Sequence, residues 1–415
     1  MSSEIKVERY LVILDPGLRE FGGHHVGIIS QLKDSLEFSN RGVKIDVLGS
    51  VDFPFDAQQL ISSEYIKFKP HFNTDFYRFF YSDEKLGSIS SYIRVLAREY
   101  FAAISSYSGT DVTFFYHTLN WEHSYALSLA LSMLEVGSAA LGVSNQQHLV
   151  CMMFSPVHYC VDDVRLTRQR LMRFSLGFRQ LHRHENVKLF TIDYETNEAY
   201  RKLLDSKRIE FCPSGLISDK YMRKLNKSYT SPSGVVLYIG DAKDNKGFLE
   251  LPSIIDIVLS STKDDSIKFY IHYTITNDRK DLKEVHSKLT LMAEKDKRVN
   301  IISGFLSEEK MHNIWMDAKS IILNYDKYLY NNQSSGILWL AAAYDVEVHL
   351  LTNTWLNRES SRLNLKYMSH ESLPDFSRYI SKYGWGALKS DGQSDEYFWY
   401  RKKLTSDLAD WLIEN

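Results

Sequence analysis

Short apolar runs alternate with longer amphipathic stretches along most of the chain. The first run covers residues 10–14, and an Asp-Pro-Gly turn and two adjacent glycines follow it. Residues 26–39 then carry apolar side chains at helical spacing, and a second run lies at 42–48. A strand, a glycine-containing loop, a helix and a second strand form a βαβ unit, whose crossover joins parallel strands. The pattern therefore predicts an α/β fold.

The same alternation continues through two halves of similar length. In the first half, further strands are predicted at 111–116, 148–154, 188–192 and 209–215, with an apolar helix at 124–141. In the second half, strands are predicted at 235–239, 267–272, 299–302, 320–324 and 346–351, with helices at 254–260, 282–296, 307–318 and 335–344. A polar, turn-rich stretch at 224–234 separates the halves. We predict a Rossmann-like domain at 1–224, a second at 225–393 and a terminal helical segment at 394–415.

The apolar stretch at 125–143 resembles a membrane span at first sight. It contains Glu135, several serines and two glycines, and it falls short of the ~20 strongly apolar residues that a span needs. We therefore predict a buried helix.

Residues 1–8 lack the apolar core of a secretory signal. The three cysteines, Cys151, Cys160 and Cys212, lack the paired spacing of a disulfide framework or a zinc module, so we expect a cytoplasmic protein.

Basic charge is concentrated in one segment of a nearly neutral chain. The 415 residues include 50 Lys and Arg against 52 Asp and Glu, a net charge of −2, which argues against a general nucleic-acid binder. Arginines cluster between Arg165 and Arg183, among Leu, Met and Phe. A basic amphipathic helix can contact anionic lipid. Two interpretations stay open: peripheral contact with the inner face of the membrane, and an ordinary solvated helix face.

Candidate ligand-binding residues come directly after predicted strands. Open α/β sheets bind ligands beyond the carboxyl ends of their strands, and we expect the two halves to face each other across a cleft. After the first strand, Gly22, Gly23 and His24 open a helix. Glycine lets the backbone approach an anion, and the helix start supplies N–H donors. This favours a phosphate site, with a plain tight turn as the alternative.

The corresponding loop of the second half begins at Gly240 and contains Lys243 and Lys246. Two ammonium groups at the start of a helix can neutralise a diphosphate, although a solvated charged turn would have the same pattern. Further along, Tyr325 follows a strand, and Ser334, Ser335 and Gly336 open another helix. Their hydroxyl and N–H groups can bind phosphate oxygens or simply cap the helix.

Two histidines of the first half also follow strands. His158 could hold or transfer a proton near neutral pH. His117, with Asn120 and Trp121 just after it, could bind sugar hydroxyls. A structural histidine is the commoner role in both cases. Because no ligand spacing such as His-Glu-x-x-His is present, we expect no metal site.

In their order along the chain, these loops resemble those of the GT-B glycosyltransferases. The resemblance is greatest to the retaining family-four type of bacterial surface-polysaccharide synthesis. It covers nearly the whole chain, and it rests on the order of loose motifs and on their placement after strands. The motifs are Gly22-Gly23-His24, Ser155-Pro156-Val157-His158, Cys212-Pro213-Ser214-Gly215, the segment 238–248, Tyr325-Asp326, Ser334-Ser335-Gly336-Ile337 and Thr354-Trp355-Leu356.

The resemblance implies transfer of a hexose or deoxyhexose from a nucleotide-diphosphate sugar to a glycan or lipid-linked glycan. It implies retention of configuration, no metal and no other cofactor. The second half would bind most of the donor, and the first half the acceptor. The roles implied for single residues are these: Lys243 and Lys246 neutralise the diphosphate; His158 lies beside the transferred sugar; Gly304, Phe305 and Leu306 bind the nucleoside base; Gly22, Gly23, His24, Gly240, Tyr325, Asn332, Ser334, Ser335 and Gly336 complete the donor site; His117, Asn120 and Trp121 contact the acceptor.

The chain departs from this family pattern at two positions. The family has two glutamates eight positions apart around the start of the helix at 335–344, where this chain has Asn332 and Leu340. An amide can still hydrogen-bond a sugar, whereas leucine cannot bind a ribose. Three interpretations stay open: an active enzyme with an altered donor, a non-catalytic GT-B module that binds a partner transferase or glycan, and a nucleotide-sugar epimerase with the same fold.

Overall fold

The computed structural model describes two compact units, each built on one parallel β-sheet. The first contains residues 1–222 and 406–415, and the second contains residues 223–405. The predicted domain boundary at 224/225 lies outside the described residues. The described ranges are 9–20, 23–39, 42–79, 86–138, 146–157, 164–218, 220–221, 234–261, 266–275, 278–302, 306–385 and 395–415.

In the described residues, the first unit has a seven-stranded sheet with the order β3-β2-β1-β4-β5-β6-β7. Its strands are β1 (Arg9–Leu14), β2 (Val43–Ser50), β3 (Ile66–Phe72), β4 (Thr113–Tyr116), β5 (Gln147–Cys151), β6 (Val187–Thr191) and β7 (Ile209–Phe211). Its helices are α1 (Gly23–Ser39), α2 (Phe55–Ile61), α3 (Leu86–Ser105), α4 (Trp121–Ser138), α5 (Val164–Leu181) and α6 (Tyr194–Leu204). The strand order reverses between β1 and β4, and such a switch point is where open α/β sheets bind ligands.

The second unit repeats this plan with six described strands in the order β10-β9-β8-β11-β12-β13. The strands are β8 (Gly234–Asp241), β9 (Ile267–Thr274), β10 (Val299–Ile302), β11 (Ala318–Leu323), β12 (Glu347–Leu351) and β13 (Tyr367–His370). The helices are α7 (Leu251–Ser261), α8 (Lys280–Lys295), α9 (Glu308–Asp317), α10 (Gly336–Tyr344), α11 (Trp355–Arg362), α12 (Leu373–Tyr383) and α13 (Asp395–Leu404). Its switch point lies between β8 and β11.

The central strands are apolar because helices cover both faces of each sheet. Val12 and Phe114 on adjacent strands of the first sheet have no exposed surface, and neither do Val236 and Ile321 in the second. The sequence pattern located these strands for this reason. It missed β3 and β13, which lie at sheet edges. In β3, Lys67, Lys69 and Pro70 interrupt the apolar run, and an edge strand tolerates these interruptions.

The segment predicted as one terminal helix is two helices, α13 and α14 (Leu408–Glu414). Asp407 is the N-cap of α14, because its carboxylate accepts hydrogen bonds from the backbone N–H groups of Ala409 at 2.8 Å and Asp410 at 3.1 Å. A new helix therefore begins here. The same carboxylate accepts the Ser35 hydroxyl of α1. Trp411 packs edge-on against Phe115 and Phe190 of the first sheet. The last helix therefore belongs to the first compact unit.

The apolar stretch at 125–143 lies in α4 as far as Ser138, and Ala126, Leu127 and Ala130 on its inner face are fully buried. Among the described helices, none is long and apolar enough to cross a membrane. Cys151 and Cys212 are free and buried, and Cys160 lies outside the described residues.

His148 gives the first unit an acid-sensitive core. Its ring stacks on Phe114 at 4.9 Å, and Nδ1 lies 3.0 Å from the Tyr116 hydroxyl. Burial lowers the pKa of His148 to about 3, against about 6.5 in an unfolded chain. As the pH falls below 6.5, the unfolded state gains a proton that the folded state does not bind. The folded state therefore loses up to about 1.4 kcal/mol per pH unit through this residue.

We expect His148→Gln to flatten the pH dependence of the unfolding free energy between pH 6 and pH 4. The slope should fall by about 1 kcal/mol per pH unit relative to the unsubstituted protein. Urea unfolding followed by circular dichroism at pH 7, 6, 5 and 4 measures both slopes. Parallel slopes for the two proteins would contradict this account of the buried imidazole.

Candidate functional site

A buried carboxylate stands at the switch point of the first sheet. Asp15 follows β1 and is 1% exposed. Both of its oxygens lie 2.9 Å from His25 Nδ1, and Oδ1 also accepts the backbone N–H of Gly17 at 3.0 Å. His117 follows β4, with Nδ1 3.4 Å from Asp15 Oδ2. Burial alone would raise the pKa of Asp15, but His25 and His117 outweigh this effect and hold it well below its usual range.

Two glycines permit this arrangement. A Cβ atom at Gly17 would lie only 2.1 Å from Cε1 of His25, so the position must lack a side chain for the imidazole to reach Asp15. Gly23 begins α1 with a φ of 73°, a left-handed conformation that favours glycine. The turn after β1 and the start of α1 are therefore shaped to bring His24 and His25 to the end of β4.

The rings of His24, His25 and His117 form one cluster. The His24 and His25 centroids are 4.1 Å apart, and the His117 centroid lies 4.9 Å from that of His25 and 5.8 Å from that of His24. Burial, with repulsion among the rings, lowers the pKa of His24 to about 3 and that of His117 to about 4. Both imidazoles are therefore neutral at neutral pH.

The other predicted residues of the first half have separate positions. Asn120 precedes α4, and its side-chain oxygen accepts the backbone N–H of His123 at 3.2 Å, so it caps that helix. Trp121 packs at the start of α4, with the Arg173 guanidinium 5.5 Å from its ring centroid. These contacts give both residues a structural role, and acceptor binding by them stays a prediction. Gly22 and His158 lie outside the described residues.

In the second unit, the two predicted lysines lie together beyond β8. Lys243 Nζ is 2.9 Å and Lys246 Nζ 3.7 Å from the same oxygen, Oδ2 of Asp241. Burial lowers the pKa of Lys246. Burial acts to raise the pKa of Asp241, but the two lysines outweigh it and the net shift is downward. Gly240 has a φ of 151°, which favours glycine, and the Lys246 side chain packs beside it, with Cδ and Nζ each 3.7 Å from where a Cβ would lie.

The lysine loop is joined to the loop that follows β11. The backbone N–H of Asp326 donates to the carbonyl of Asn245 at 2.9 Å. Gly247 has a φ of 74°, and a Cβ there would lie 2.2 Å from the carbonyl oxygen of Asn324. The Asn324 side chain in turn donates to Glu250 and lies 3.0 Å from His370 Nε2. The two loops at this switch point therefore form one packed unit.

The predicted residues after β11 lie at the start of α10. Tyr325 is buried against the ring of Tyr330, at a centroid distance of 4.6 Å. Ser335 occupies the N-cap position, but its side chain makes no capping hydrogen bond. Ser334, Gly336, Asn332 and Leu340 are all partly buried. Gly304 and Phe305 lie outside the described residues, and Leu306, just beyond them, is partly buried.

Sequence reasoning missed three charged or ionisable residues that organise these loops. Asp15 directly follows β1, His25 directly follows the predicted site residue His24, and Asp241 directly follows the predicted site residue Gly240. The sequence pattern predicts Asp15 only as part of a turn. Its position between a buried strand and a glycine was the available signal, because a carboxylate there faces the switch point.

Comparisons with known proteins find similarity in structure alone. No family model and no curated protein matches the chain. Among solved structures, the α,α-trehalose-phosphate synthase (UDP-forming) from Burkholderia xenovorans, in complex with glucose-6-phosphate, has a TM-score of 0.56 at 10% identity, covering 97% of this chain and 98% of its own. The apo form of the lipopolysaccharide outer core galactosyltransferase WaaB has a TM-score of 0.53 at 11% identity, covering 98% of each chain.

A UDP-GlcNAc 2-epimerase from Methanocaldococcus jannaschii is also similar, with a TM-score of 0.52 at 10% identity over 98% of this chain and all of that one. At such identities, the likeness concerns the fold. Two tandem parallel-sheet domains, matched over nearly the full length of each of these structures, identify the fold of this chain as GT-B.

Proposed function

We propose that the protein is a glycosyltransferase that moves a hexose or deoxyhexose from a nucleotide-diphosphate sugar to a glycan or lipid-linked glycan. The observation that carries this proposal is the pair of lysines at the switch point of the second sheet. Their ammonium groups converge on one carboxylate oxygen of Asp241, much as two cations would converge on a phosphate oxygen. A diphosphate at this point would take over part of the role of Asp241 as counter-ion.

The proposed chemistry requires stabilisation of a departing nucleoside diphosphate. Fixed cations and N–H dipoles that point at developing charge supply most such stabilisation. Lys246 is held in place because only 22% of its side chain is exposed. The start of α10, reached through the Asn245–Asp326 contact between the loops, would add N–H donors. In this proposal the lysines neutralise the diphosphate without a metal, and the transferred sugar keeps its configuration.

Two other functions stay open beside this proposal, a non-catalytic module and an epimerase, and Asn332 and Leu340 bear on the choice. Without the two glutamates, the donor pocket would differ in its sugar and ribose contacts, which favours an altered donor or a non-catalytic module. Likeness to an epimerase structure supports the third interpretation. Both enzymatic interpretations place the nucleotide at the lysine loop, whereas the non-catalytic module needs no nucleotide.

A transfer assay separates these functions. The protein is incubated with UDP-, GDP-, ADP- and TDP-linked hexoses and deoxyhexoses, with and without oligosaccharide or lipid-linked acceptors. The proposal expects release of nucleoside diphosphate and formation of an extended glycan, and NMR of the product reports its anomeric configuration. Epimerised donor without acceptor would favour the epimerase. If the protein binds no donor and consumes none, both enzymatic functions are contradicted.

We further propose that α5 contacts the inner face of the membrane. Met172 is 72% exposed and Leu176 is 52% exposed on the same face as the exposed Arg168 and as Arg179, whose guanidinium also donates to the backbone carbonyl of Leu203. Apolar side chains that insert into the interface and arginines that attract anionic headgroups are the two components of peripheral membrane binding.

The double substitution Met172→Glu and Leu176→Glu should lower binding to phosphatidylglycerol-containing vesicles at least about tenfold. It removes the apolar side chains that would insert into the membrane interface, and it adds carboxylates that the anionic headgroups repel. Cosedimentation measures this binding. The matched control is Leu291→Glu, which changes a leucine of α8 that is 48% exposed and should leave binding unchanged. Equal loss in both variants, or no vesicle binding by the unsubstituted protein, would contradict the proposal.

A further inference from the structure

The histidine cluster of the first unit has the composition of a metal site. His24 and His25 come from the first turn of α1, and His117 from the loop after β4. One ligating nitrogen from each lies within 4.8 Å of the others. The ligands are two adjacent residues and one distant residue, so no local sequence motif marks them.

Two ring nitrogens of the cluster have no partner in the part of the chain that the structure describes. Nε2 of His24 and Nε2 of His117 are both buried and make no hydrogen bond there. His117 as a whole is only 2% exposed. A buried polar atom without a partner destabilises the fold, because it has lost its hydrogen bonds to water and gained none in return. A bound cation would satisfy both atoms.

Asp15 sets the orientation of the other two rings. The carboxylate accepts from Nδ1 of His25, which leaves Nε2 of that ring as the nitrogen with a lone pair. His117 presents Nδ1 to the same carboxylate, and its other ring nitrogen, Nε2, is the buried atom without a partner. A carboxylate behind a ligating imidazole is the usual way in which proteins fix the tautomer and raise the basicity of a metal ligand.

We propose that His24, His25 and His117 together bind one divalent transition metal ion, with Zn²⁺ as the probe, and that Asp15 positions two of these ligands. Neutral imidazoles suit Zn²⁺, Co²⁺, Ni²⁺ or Cu²⁺, whereas Mg²⁺ and Ca²⁺ require oxygen ligands. Three protein ligands leave a fourth position for water or a hydroxyl oxygen of a substrate.

Binding requires one contact to change. His25 Nε2 lies 2.8 Å from the Tyr77 hydroxyl, which donates to it when Nδ1 bonds Asp15. The metal must replace this hydroxyl, and the three nitrogens must draw together to bonds of about 2.0–2.1 Å. Tyr77→Phe removes the competing donor and should therefore bind Zn²⁺ as tightly as the unsubstituted protein, or more tightly.

The site goes beyond the proposed transfer function and does not depend on it, because the lysine loop belongs to the second unit.

The test is calorimetric titration of ZnCl₂ into tag-free, chelator-dialysed full-length protein at pH 7.5, without nucleotide. We expect one Zn²⁺ per chain. His24→Gln and His117→Gln should each weaken binding at least about 100-fold, and Asp15→Asn about 10- to 100-fold. The matched control is His148→Gln, which changes a buried histidine of the same sheet outside the cluster and should leave binding unchanged.

Co²⁺ provides a second readout, because a low-symmetry nitrogen site gives it a strong visible absorption that His24→Gln should remove. Circular dichroism verifies that each variant is folded. If His117→Gln does not fold, His24→Gln decides the test, because His24 is only partly buried. Absence of stoichiometric Zn²⁺ binding, or equal weakening by His24→Gln and His148→Gln, would overturn the proposal. Failure of sugar transfer alone would leave it intact.

Discussion

Replacing Lys246 by alanine should lower kcat for sugar transfer about 100- to 1000-fold, the loss that follows removal of one preorganised group that stabilises developing charge. Lys246 is the more buried of the two lysines, with 22% of its side chain exposed against 42% for Lys243. Its cation therefore acts in a less solvated setting, where electrostatic interactions are stronger. Lys243→Ala should have a smaller effect in the same direction.

The measurement is nucleoside diphosphate release under saturating donor, with the donor identified by the panel described above. Lys366→Ala is the matched control. Lys366 is exposed and directly precedes β13, so it lies at the amino edge of the same sheet, and its removal should change kcat less than twofold. If Lys246→Ala retains full activity while folded, the lysine pair does not stabilise the leaving group.

Substituting Gly247 by alanine should destabilise the second unit by about 3 kcal/mol. Two costs add up: a left-handed conformation at a non-glycine residue costs about 1–2 kcal/mol, and an extra carbon in a packed site costs about 1–3 kcal/mol. The second cost arises because the new Cβ would lie 2.2 Å from the backbone carbonyl of Asn324, which cannot move without disturbing both loops. Donor binding should be lost with the loop geometry.

Gly109 provides a control that separates the two costs. Its φ is 77°, close to that of Gly247, but an added Cβ would have no heavy atom within 4 Å. Gly109→Ala should therefore lose only the cost of the left-handed conformation, about 1–2 kcal/mol. Urea unfolding followed by circular dichroism gives both values. Equal destabilisation by the two substitutions would mean that the loops are not packed as tightly as the structure indicates.

Much of the fold could be predicted from the sequence, because strands buried on both faces are apolar throughout. Residues 299–302 were predicted to the residue as β10. The edge strand β3 was not predicted, because its exposed positions carry lysines and a proline. The break between α13 and α14 was also missed, although Asp407, whose carboxylate caps α14, is a local signal for a helix start; only its contact with Ser35 is distant in sequence.

In the candidate sites, too, local arrangements could be predicted from the sequence and contacts between distant residues could not. Lys243 and Lys246 were found because a single loop contains both. The contact of His117 with Asp15 and His25 was not foreseen, because only the strand order β1-β4 brings those loops together. Glycines such as Gly17 could not be assigned a role from sequence, because the atom that an added Cβ would strike belongs to the His25 ring.

We expect a nucleoside diphosphate to bind where Lys243 and Lys246 converge beyond β8. A crystal structure of the protein grown with UDP, GDP or ADP tests this directly. We expect diphosphate oxygens about 2.8 Å from Nζ of Lys246, next to the start of α10. A diphosphate bound elsewhere, with both lysines still paired only to Asp241, would contradict it.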